Sequence, residues 1–200
     1  MFARYCLKSV ALRAACCRRP LLVARPAHLR YFASELPGKE LSSSEDISQG
    51  TRALLAGNAA SALSHFERAL SKSGEMSATA DVYYNKGVCE YSLGKTDAAI
   101  ASWQQSLALD ASRSDVHANI GNAYFLNRRD VQSAISHMKQ AAELAPDDAE
   151  IHFNLGCLYE SAGDSDLRAA ISSYDRAVQL GLEKAKTHLR NAMAKQISKK

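Results

Sequence analysis

The sequence predicts an all-α solenoid of about four helical hairpins followed by one capping helix. Self-similarity is the main reason: Gly87, Gly121 and Gly156 recur at intervals of 34 and 35 residues, and periods of this length indicate stacked helical repeats. The 200-residue chain is 46% apolar and 23% charged, which excludes collagen-like, mucin-like and wholly disordered proteins. It contains no run of about 18 apolar residues that could form a transmembrane helix.

Residues 1–32 predict a mitochondrial transit peptide. They hold seven basic residues and no acid, with Ala, Leu and Ser between the charges, as is typical of such peptides. Residues 30–34, Arg-Tyr-Phe-Ala-Ser, resemble the site cut by the matrix processing peptidase, so we expect cleavage after Phe32. A secretory signal is the competing interpretation, but Arg13 splits its only candidate apolar core; a basic nucleic-acid-binding arm is another. We therefore expect the protein to be imported into the mitochondrial matrix. Residues 33–42 are expected to form a flexible segment ahead of the first repeat, the lead.

The net charge of +4 conceals an acidic middle. Residues 33–182 hold 12 basic and 20 acidic residues, whereas 183–200 hold six basic residues and one acid. The basic ends therefore do not indicate nucleic-acid affinity of the folded part. Removal of the transit peptide leaves Cys89 and Cys157, and two isolated cysteines fit a reducing compartment without a disulfide framework.

Four repeats are predicted, over residues 43–76, 80–113, 114–148 and 149–184. In each, the first helix has Gly near its middle, and the second helix has Ala with a large residue four positions later. These positions are Gly50, Ala62 and Phe66; Gly87, Ala99 and Trp103; Gly121, Ala134 and Met138; and Gly156, Ala170 and Tyr174. Gly inside a helix costs about 1 kcal/mol relative to Ala. We interpret the glycines as close approaches between helices, with the alanines as their small partners.

These residues resemble the tetratricopeptide repeat (TPR) family, a helix-turn-helix unit of 34 residues. The resemblance covers 43–184 and implies a right-handed solenoid. Repeat one departs from the family by having Asp46 in place of an early aromatic residue. Repeats three and four carry extra residues in the inter-helix turn, around 128–130 and 164–166. Residues 182–200 predict a basic capping helix and tail, because apolar residues recur there at 3–4 spacing.

No catalytic, cofactor or metal site is predicted. Gly94-Lys95-Thr96 ends like a phosphate-binding loop, but that loop needs a glycine where Cys89 stands, after a strand. His117 and His152 take the early aromatic position of their repeats, which favours packing with one bonded nitrogen over metal binding. We therefore expect a protein that is not an enzyme and takes no small-molecule substrate.

The first helices of stacked hairpins line a concave face, and this face is the predicted binding groove. Asn85, Asn119 and Asn154 take equivalent places in three first helices, and an amide can pair with both N–H and C=O of an extended peptide. In the TPR family such an Asn ladder is associated with peptide binding. The other groove candidates share this face: Tyr84, Val88, Tyr91, Asn122, Phe125, Phe153 and Cys157. Solvated Asn and inter-repeat packing are the competing interpretations.

Three acids, Asp81, Asp115 and Glu150, recur at the groove edge near helix starts. They favour a basic partner segment, with stabilisation of the helix dipole as the alternative. Of the Lys, Asn and Arg clamp of co-chaperone TPR domains, only the Asn is present.

The resemblance implies a scaffold or adaptor that binds an extended or helical protein segment, as an assembly factor or accessory subunit, and the predicted transit peptide assigns it to the matrix. One alternative is an organellar RNA-associated repeat protein, which the scarcity of Lys and Arg on the predicted groove opposes. The other is an outer-membrane import or fission receptor, which the lack of a spanning segment opposes. Membrane contact is expected to be at most peripheral, through the basic tail.

Overall fold

The computed structural model describes residues 42–72 and 79–198, and in these ranges it contains α-helices and no strand. The helices are α1 Ser43–Leu55, α2 Ala59–Lys72, α3 Ala80–Ser92, α4 Thr96–Leu109, α5 Ser114–Ala123, α6 Val131–Leu144, α7 Ala149–Ala162, α8 Leu167–Gln179 and α9 Glu183–Ile197. The predicted all-α fold is thereby confirmed. The predicted transit peptide and the lead, apart from Ser42, lie outside the described residues, as does the end of the tail.

The described residues form two compact units, one ending at Val116 and the other beginning at His117. In the N-terminal unit α1 packs on α2, α2 on α3, and α3 on α4. In the C-terminal unit α6 packs on α7, α7 on α8, and α8 on α9. Within each unit, apolar clusters join helices of successive hairpins, so these hairpins depend on one another for burial, as repeats do.

The hairpin turns follow from glycine and from capping residues. Gly57 and Gly94 have φ of 78° and 77°, the left-handed conformation that glycine adopts without a Cβ penalty. Gly94 is therefore a turn glycine between α3 and α4, as predicted. At the start of α1, Ser42 and Glu45 form a reciprocal capping box, which satisfies two N–H groups that the helix leaves unpaired.

The extra turn residues of repeats three and four are absorbed in two different ways. After α5 the chain widens into a π-helical turn, Tyr124–Arg128, and then passes through Arg129 with φ of 58°. Before α8 it tightens into a 3₁₀ turn, Asp164–Asp166, which follows Gly163 with φ of 126°. Neither adjustment interrupts the helix that follows it.

Arg129→Gly is expected to raise the free energy of unfolding by about 0.5–1 kcal/mol, because a left-handed residue with a Cβ is strained. Urea unfolding followed by circular dichroism measures the change. Arg128→Gly removes the same charge one residue earlier, inside the π-helical turn, and is expected to destabilise the protein. Equal effects of the two substitutions would contradict the assignment of strain to Arg129.

The mid-helix glycines lie against large side chains. A Cβ on Gly87 would lie 2.5 Å from Cδ1 and Nε1 of Trp103, and one on Gly156 would lie 2.6 Å from the ring of Tyr174. The helices therefore approach each other closely at these two glycines, as predicted. The side chains that lie against the glycines are the large residues of the second helix, however, and not the predicted alanines. The ring on the second helix reaches across the hairpin and takes the space that a Cβ would need. Gly121 differs, since its nearest contact is the carbonyl oxygen of Ala134 at 3.1 Å.

Asp46 occupies the early aromatic place of repeat one and is fully buried. Its Oδ1 accepts hydrogen bonds from Nη2 of Arg68 at 2.6 Å and lies 3.1 Å from Nδ1 of His65. Nζ of Lys72 lies 3.4 Å from Oδ2. Burial raises the pKa of Asp46, but the hydrogen bonds from Arg68 and His65 outweigh it and hold the pKa below its usual value. The position that elsewhere holds an aromatic ring thus joins α1 to α2 through charge.

Candidate functional site

The predicted groove residues of the N-terminal unit lie on one face of α3. Asn85 and Tyr91 are half-buried and Asp81 is exposed, so these three supply the accessible surface. Tyr84 and Val88 are 9% and 5% exposed, which leaves them little surface for a ligand. Burial raises the pKa of Tyr91, which keeps its hydroxyl protonated and able to donate a hydrogen bond at neutral pH.

In the C-terminal unit the accessible candidates are again asparagines. Asn122 and Asn154 are half-buried, whereas Asn119 is only 8% exposed. Side-chain amides at partly open positions can exchange water for a peptide N–H or C=O without being uncovered first. Asn154 is therefore accessible for the predicted peptide contact, which stays a prediction, and Asn119 is less accessible for it.

The two phenylalanines and the cysteine of this unit belong to its core. Phe125 packs in the cluster between α6 and α7, while Phe153 and Cys157 pack in the cluster that joins α7 to α8 and α9. The ring of Phe153 lies 5.7 Å from that of Tyr174 and meets His188 edge-on at 5.1 Å. The sequence prediction placed these three side chains in an exposed groove. The structure corrects this, because neighbouring helices cover them.

Arg113 neutralises two of the three predicted groove-edge acids. Its Nη1 donates to Asp81 at 2.6 Å and its Nη2 to Asp115 at 3.0 Å, and the guanidinium lies 4.7 Å from the ring centre of Tyr84. Burial lowers the pKa of Arg113, but Asp115 and Asp81 outweigh it and raise the pKa above its ordinary value. The guanidinium therefore stays charged between the two acids.

Lys184 forms the corresponding arrangement in the C-terminal unit. Its Nζ donates to Glu150 at 2.5 Å and lies 4.5 Å from the ring centre of Phe153. Both units thus bring together three groups: an acid, an aromatic residue three positions later, and a cation from a following element. The sequence does not reveal this arrangement, because Arg113 and Lys184 do not take equivalent places in the repeat. All three acids are thus ion-paired within the protein, which reduces the negative charge that they offer to a basic ligand.

Lys86, Glu90 and Ser102 form a polar cluster between α3 and α4. The Ser102 hydroxyl donates to Glu90 at 2.6 Å and accepts from Lys86 at 2.9 Å, and Lys86 is 2.5 Å from Glu90. Ser102 and Glu90 are each 4% exposed. Both hydrogen-bonding functions of the hydroxyl are in use, so the cluster joins the two helices instead of presenting a nucleophile.

Three described histidines have bonded ring nitrogens, and Cys89 is buried. Nε2 of His152 lies 3.0 Å from the carbonyl oxygen of Pro146, and Nδ1 of His117 lies 3.2 Å from Nδ1 of His137. Each therefore has a bonded nitrogen, as predicted. Burial raises the pKa of the Cys89 thiol to about 12, so this thiol is protonated at neutral pH and a poor nucleophile.

Within residues 42–72 and 79–198, no three or more His, Cys, Asp and Glu side chains come together as a metal site. None of the helices described is both long and apolar enough to span a bilayer.

Parts of the chain match models of tetratricopeptide repeats. Residues 90–127 match a family model described as TPR repeat, and residues 114–148 and 137–170 match two models described as tetratricopeptide repeat. No curated protein sequence matches the chain significantly.

Several solved structures share the fold. One is the C-terminal part of a TPR repeat-containing protein from Cytophaga hutchinsonii, with a TM-score of 0.71, 21% identity and coverage of 79% of this chain and 61% of that chain. The MamA RS-1 ArsTM double mutant has a TM-score of 0.67 and 21% identity, and the match covers 77% of this chain and 84% of that chain. YrrB, described as a TPR protein with an unusual peptide-binding site, has a TM-score of 0.63 and 19% identity, covering 74% of each chain. The fold class is that of the TPR solenoid proteins, as predicted.

Proposed function

We propose that the chain is built from tetratricopeptide repeats and that it is a non-catalytic scaffold that binds an extended segment of a protein partner. TPR proteins generally serve as interaction scaffolds, and YrrB, which shares the fold, is described as having a peptide-binding site. The binding surface that we propose lies, in each unit, on the first helices of its repeats. Asn85 and Tyr91 form it in the N-terminal unit, and Asn122 and Asn154 form it in the C-terminal unit.

The observation that carries this proposal is the partial exposure of Asn85 and Asn154 at equivalent positions of two repeats. In an extended peptide, the backbone N–H and C=O groups are not paired with one another, so they are available for hydrogen bonds to a binding protein. An amide that is held by a helix and open to solvent on one side can pair with both groups. Such pairing follows the backbone and leaves side-chain specificity to the surface around it.

We propose a partner that is recognised mainly through its backbone rather than through basic side chains. Asp81, Asp115 and Glu150 are each ion-paired with Arg113 or Lys184. A basic segment would meet acids whose charge is already compensated in part by these cations, so the net electrostatic gain is small. Affinity for the partner is accordingly expected to depend weakly on salt concentration.

The proposed place of action is the mitochondrial matrix, where the protein would serve as an adaptor, assembly factor or accessory subunit. This rests on the composition of residues 1–32 and on the cleavage pattern around Phe32. Sequencing the N-terminus of the protein recovered from mitochondria tests it, with Ala33 expected as the first residue. A protein that retains residues 1–32, or that is absent from mitochondria, would contradict the matrix assignment without affecting the scaffold proposal.

Site-specific photo-crosslinking tests the binding surface. A photoreactive residue at position 85 or 154 is expected to capture one and the same partner. The same residue at the exposed positions Gln104 on α4 or Ser172 on α8 is expected not to capture it. Equal capture from all four positions, or capture from the second helices alone, would place the interaction elsewhere. Recovery of RNA instead of protein would favour the RNA-associated alternative.

Asn85→Ala is expected to weaken binding of the captured segment about tenfold, since one hydrogen-bonded amide contributes about 1–1.5 kcal/mol. Isothermal titration calorimetry with the identified segment measures the change, and Asn154→Ala is expected to behave alike. Gln104→Ala removes an exposed amide from the neighbouring helix and serves as the matched control. Unchanged affinity in both Asn variants would refute their role.

A further inference from the structure

The last described helix, α9, lies where the first helix of a further hairpin would lie. It packs on α8 as α7 packs on α6. Counted from the N-cap residue of each helix, Arg190 of α9 takes the place that Gly87 has in α3 and Gly156 has in α7. Each of those glycines lies against a large side chain of its own second helix. The corresponding face of α9, which we call its outer face, consists of Lys186, Leu189, Arg190, Met193, Ala194 and Ile197.

The outer face of α9 exposes apolar side chains along its length. Met193 and Ile197 are 48% and 73% exposed, and Leu189 is half-buried. Each of the three is one helical turn from the next, so together they form a stripe about 12 Å long. Covering such a stripe with another apolar surface removes it from water and is favourable. The spacing i, i+4 and i+8 is that of the stripe by which one amphipathic helix packs on another.

One cation on the outer face of α9 has no carboxylate partner. In the part of the chain that the structure describes, all three lysines of α9 are ion-paired: Lys184 with Glu150, Lys186 with Glu183, and Lys195 with Glu160. Arg190 is exposed and forms no such pair with any of those described residues. A guanidinium can bind both oxygens of a carboxylate at once. Its position beside the apolar stripe therefore favours a partner that brings an acid together with apolar side chains.

We propose that the outer face of α9 binds an amphipathic helix of a protein partner, whose leucine-rich stripe is edged by glutamate or aspartate. The apolar side chains of that helix cover Met193 and Ile197, and one of its carboxylates pairs with Arg190. This surface lies on a different helix from Asn122 and Asn154. It is therefore a second interaction site, and it does not depend on the surface proposed above for an extended peptide.

Two other occupants fit the outer face of α9 less well. A second copy of the chain would present the same face, whose residues include no acid, so Arg190 would meet no carboxylate there. An anionic membrane attracts a helix through several free cations, but three of the four basic residues of α9 are already compensated by glutamates. A single acid on a partner helix satisfies the one cation that is left.

Titration of the full chain with two synthetic helical peptides tests the proposal. The peptides share one leucine stripe, which is edged by Glu in the first and by Lys in the second. With ¹³C-labelled methionine methyl groups, the Met193 signal is expected to shift on addition of the Glu peptide. The signal of Met138, which is fully buried in the same unit, is expected to stay unchanged. Fluorescence anisotropy is expected to show that the Glu peptide binds at least tenfold more tightly than the Lys peptide.

Arg190→Glu is expected to weaken binding of the Glu peptide at least tenfold and to strengthen binding of the Lys peptide. Lys139→Glu makes the same change of charge at an exposed position of α6 and is the matched control, with both affinities expected within twofold of those of the unmodified chain. Ile197→Ser removes apolar surface alone and is expected to weaken both peptides alike. All three positions are exposed, and circular dichroism shows whether the variants fold.

Equal affinity of the unmodified chain for the two peptides would overturn the proposal. An unchanged Met193 signal would do so too, and it is the result expected if the Glu peptide binds the basic residues 1–32 instead. Binding to cardiolipin-containing vesicles that Arg190→Glu abolishes would assign the face to a membrane. A dimer in analytical ultracentrifugation that Ile197→Ser dissociates would assign it to a second copy, and either result would overturn the partner helix. Asn154→Ala is expected to bind the Glu peptide normally, so failure here is distinguishable from failure of the extended-peptide surface.

Discussion

Gly87→Ala is expected to lower the free energy of unfolding by about 2 kcal/mol. The new methyl group would lie 2.5 Å from Cδ1 and Nε1 of Trp103, whose side chain is fully buried. Inserting a methyl into a packed core costs about 1–3 kcal/mol, and this contact is close enough for the upper end or beyond. The better helix propensity of Ala returns about 1 kcal/mol. Chemical denaturation at pH 7 measures the difference.

Trp103→Leu in the Gly87→Ala background separates the contact from other effects of the alanine. The smaller side chain makes room for the Cβ, although the hydrogen bond from Nε1 to the carbonyl oxygen of Tyr84, 3.2 Å long, is lost. The double variant is therefore expected to be more stable than the sum of the two single changes predicts. Gly121→Ala, with its nearest contact at 3.1 Å, is expected to cost less. A stabilising effect of Gly87→Ala would show that the approach to Trp103 is not close.

Asp46→Asn is expected to destabilise the protein by about 2 kcal/mol at pH 7, because hydrogen bonds from charged groups to a buried carboxylate are worth about 1.5–3 kcal/mol. Arg68 and Lys72 are 45% and 35% exposed, so solvent screens the charge left on them and moderates the loss. The exposed Asp175→Asn on α8 is the matched control, and its expected effect is much smaller.

The same ion pairs predict how stability depends on pH. The pKa of Asp46 is lower in the folded protein than its ordinary value of 3.8, so the folded state binds the proton less readily than the unfolded state. The contribution of Asp46 is therefore complete above the ordinary pKa and is lost as pH falls through the lower folded value. Unfolding free energies of the unmodified protein and of Asp46→Asn are expected to converge below that range. A difference that stays constant down to pH 2 would contradict the assignment.

The periodic residues predicted the repeats because each of them acts within one hairpin. A glycine facing Trp103 or Tyr174 involves helices that are adjacent along the chain, so the same residue types recur every 34 or 35 positions and are visible in the sequence. Gly94 is similar, since a left-handed turn residue depends on its own backbone and little else. Such local requirements repeat with the unit, and the resemblance to TPR proteins rests on them.

The groove was predicted less well because burial depends on the neighbours of a side chain. Phe153 was predicted from its helix face to be open, but Tyr174 on α8 and His188 on α9 cover it. Asn85 and Asn154 remain partly exposed, since the polar end of an amide gains nothing from being covered by apolar rings. Helical periodicity gives the direction in which a side chain points; it does not say what lies there.

The sequence alone determined the helix class, the repeat period, the turn glycines and the positions of the small and large residues of each hairpin, because the same residue types recur at the same places of successive repeats. Tertiary structure decided which polar groups meet. Four such pairs are separated by 20 to 34 residues in the sequence: Asp46 and Arg68, Arg113 and Asp81, Lys184 and Glu150, and His117 and His137. Because a charged or aromatic side chain can find such a partner from many sequence positions, no spacing rule predicts the pair. Geometry set by helix packing is what selects it.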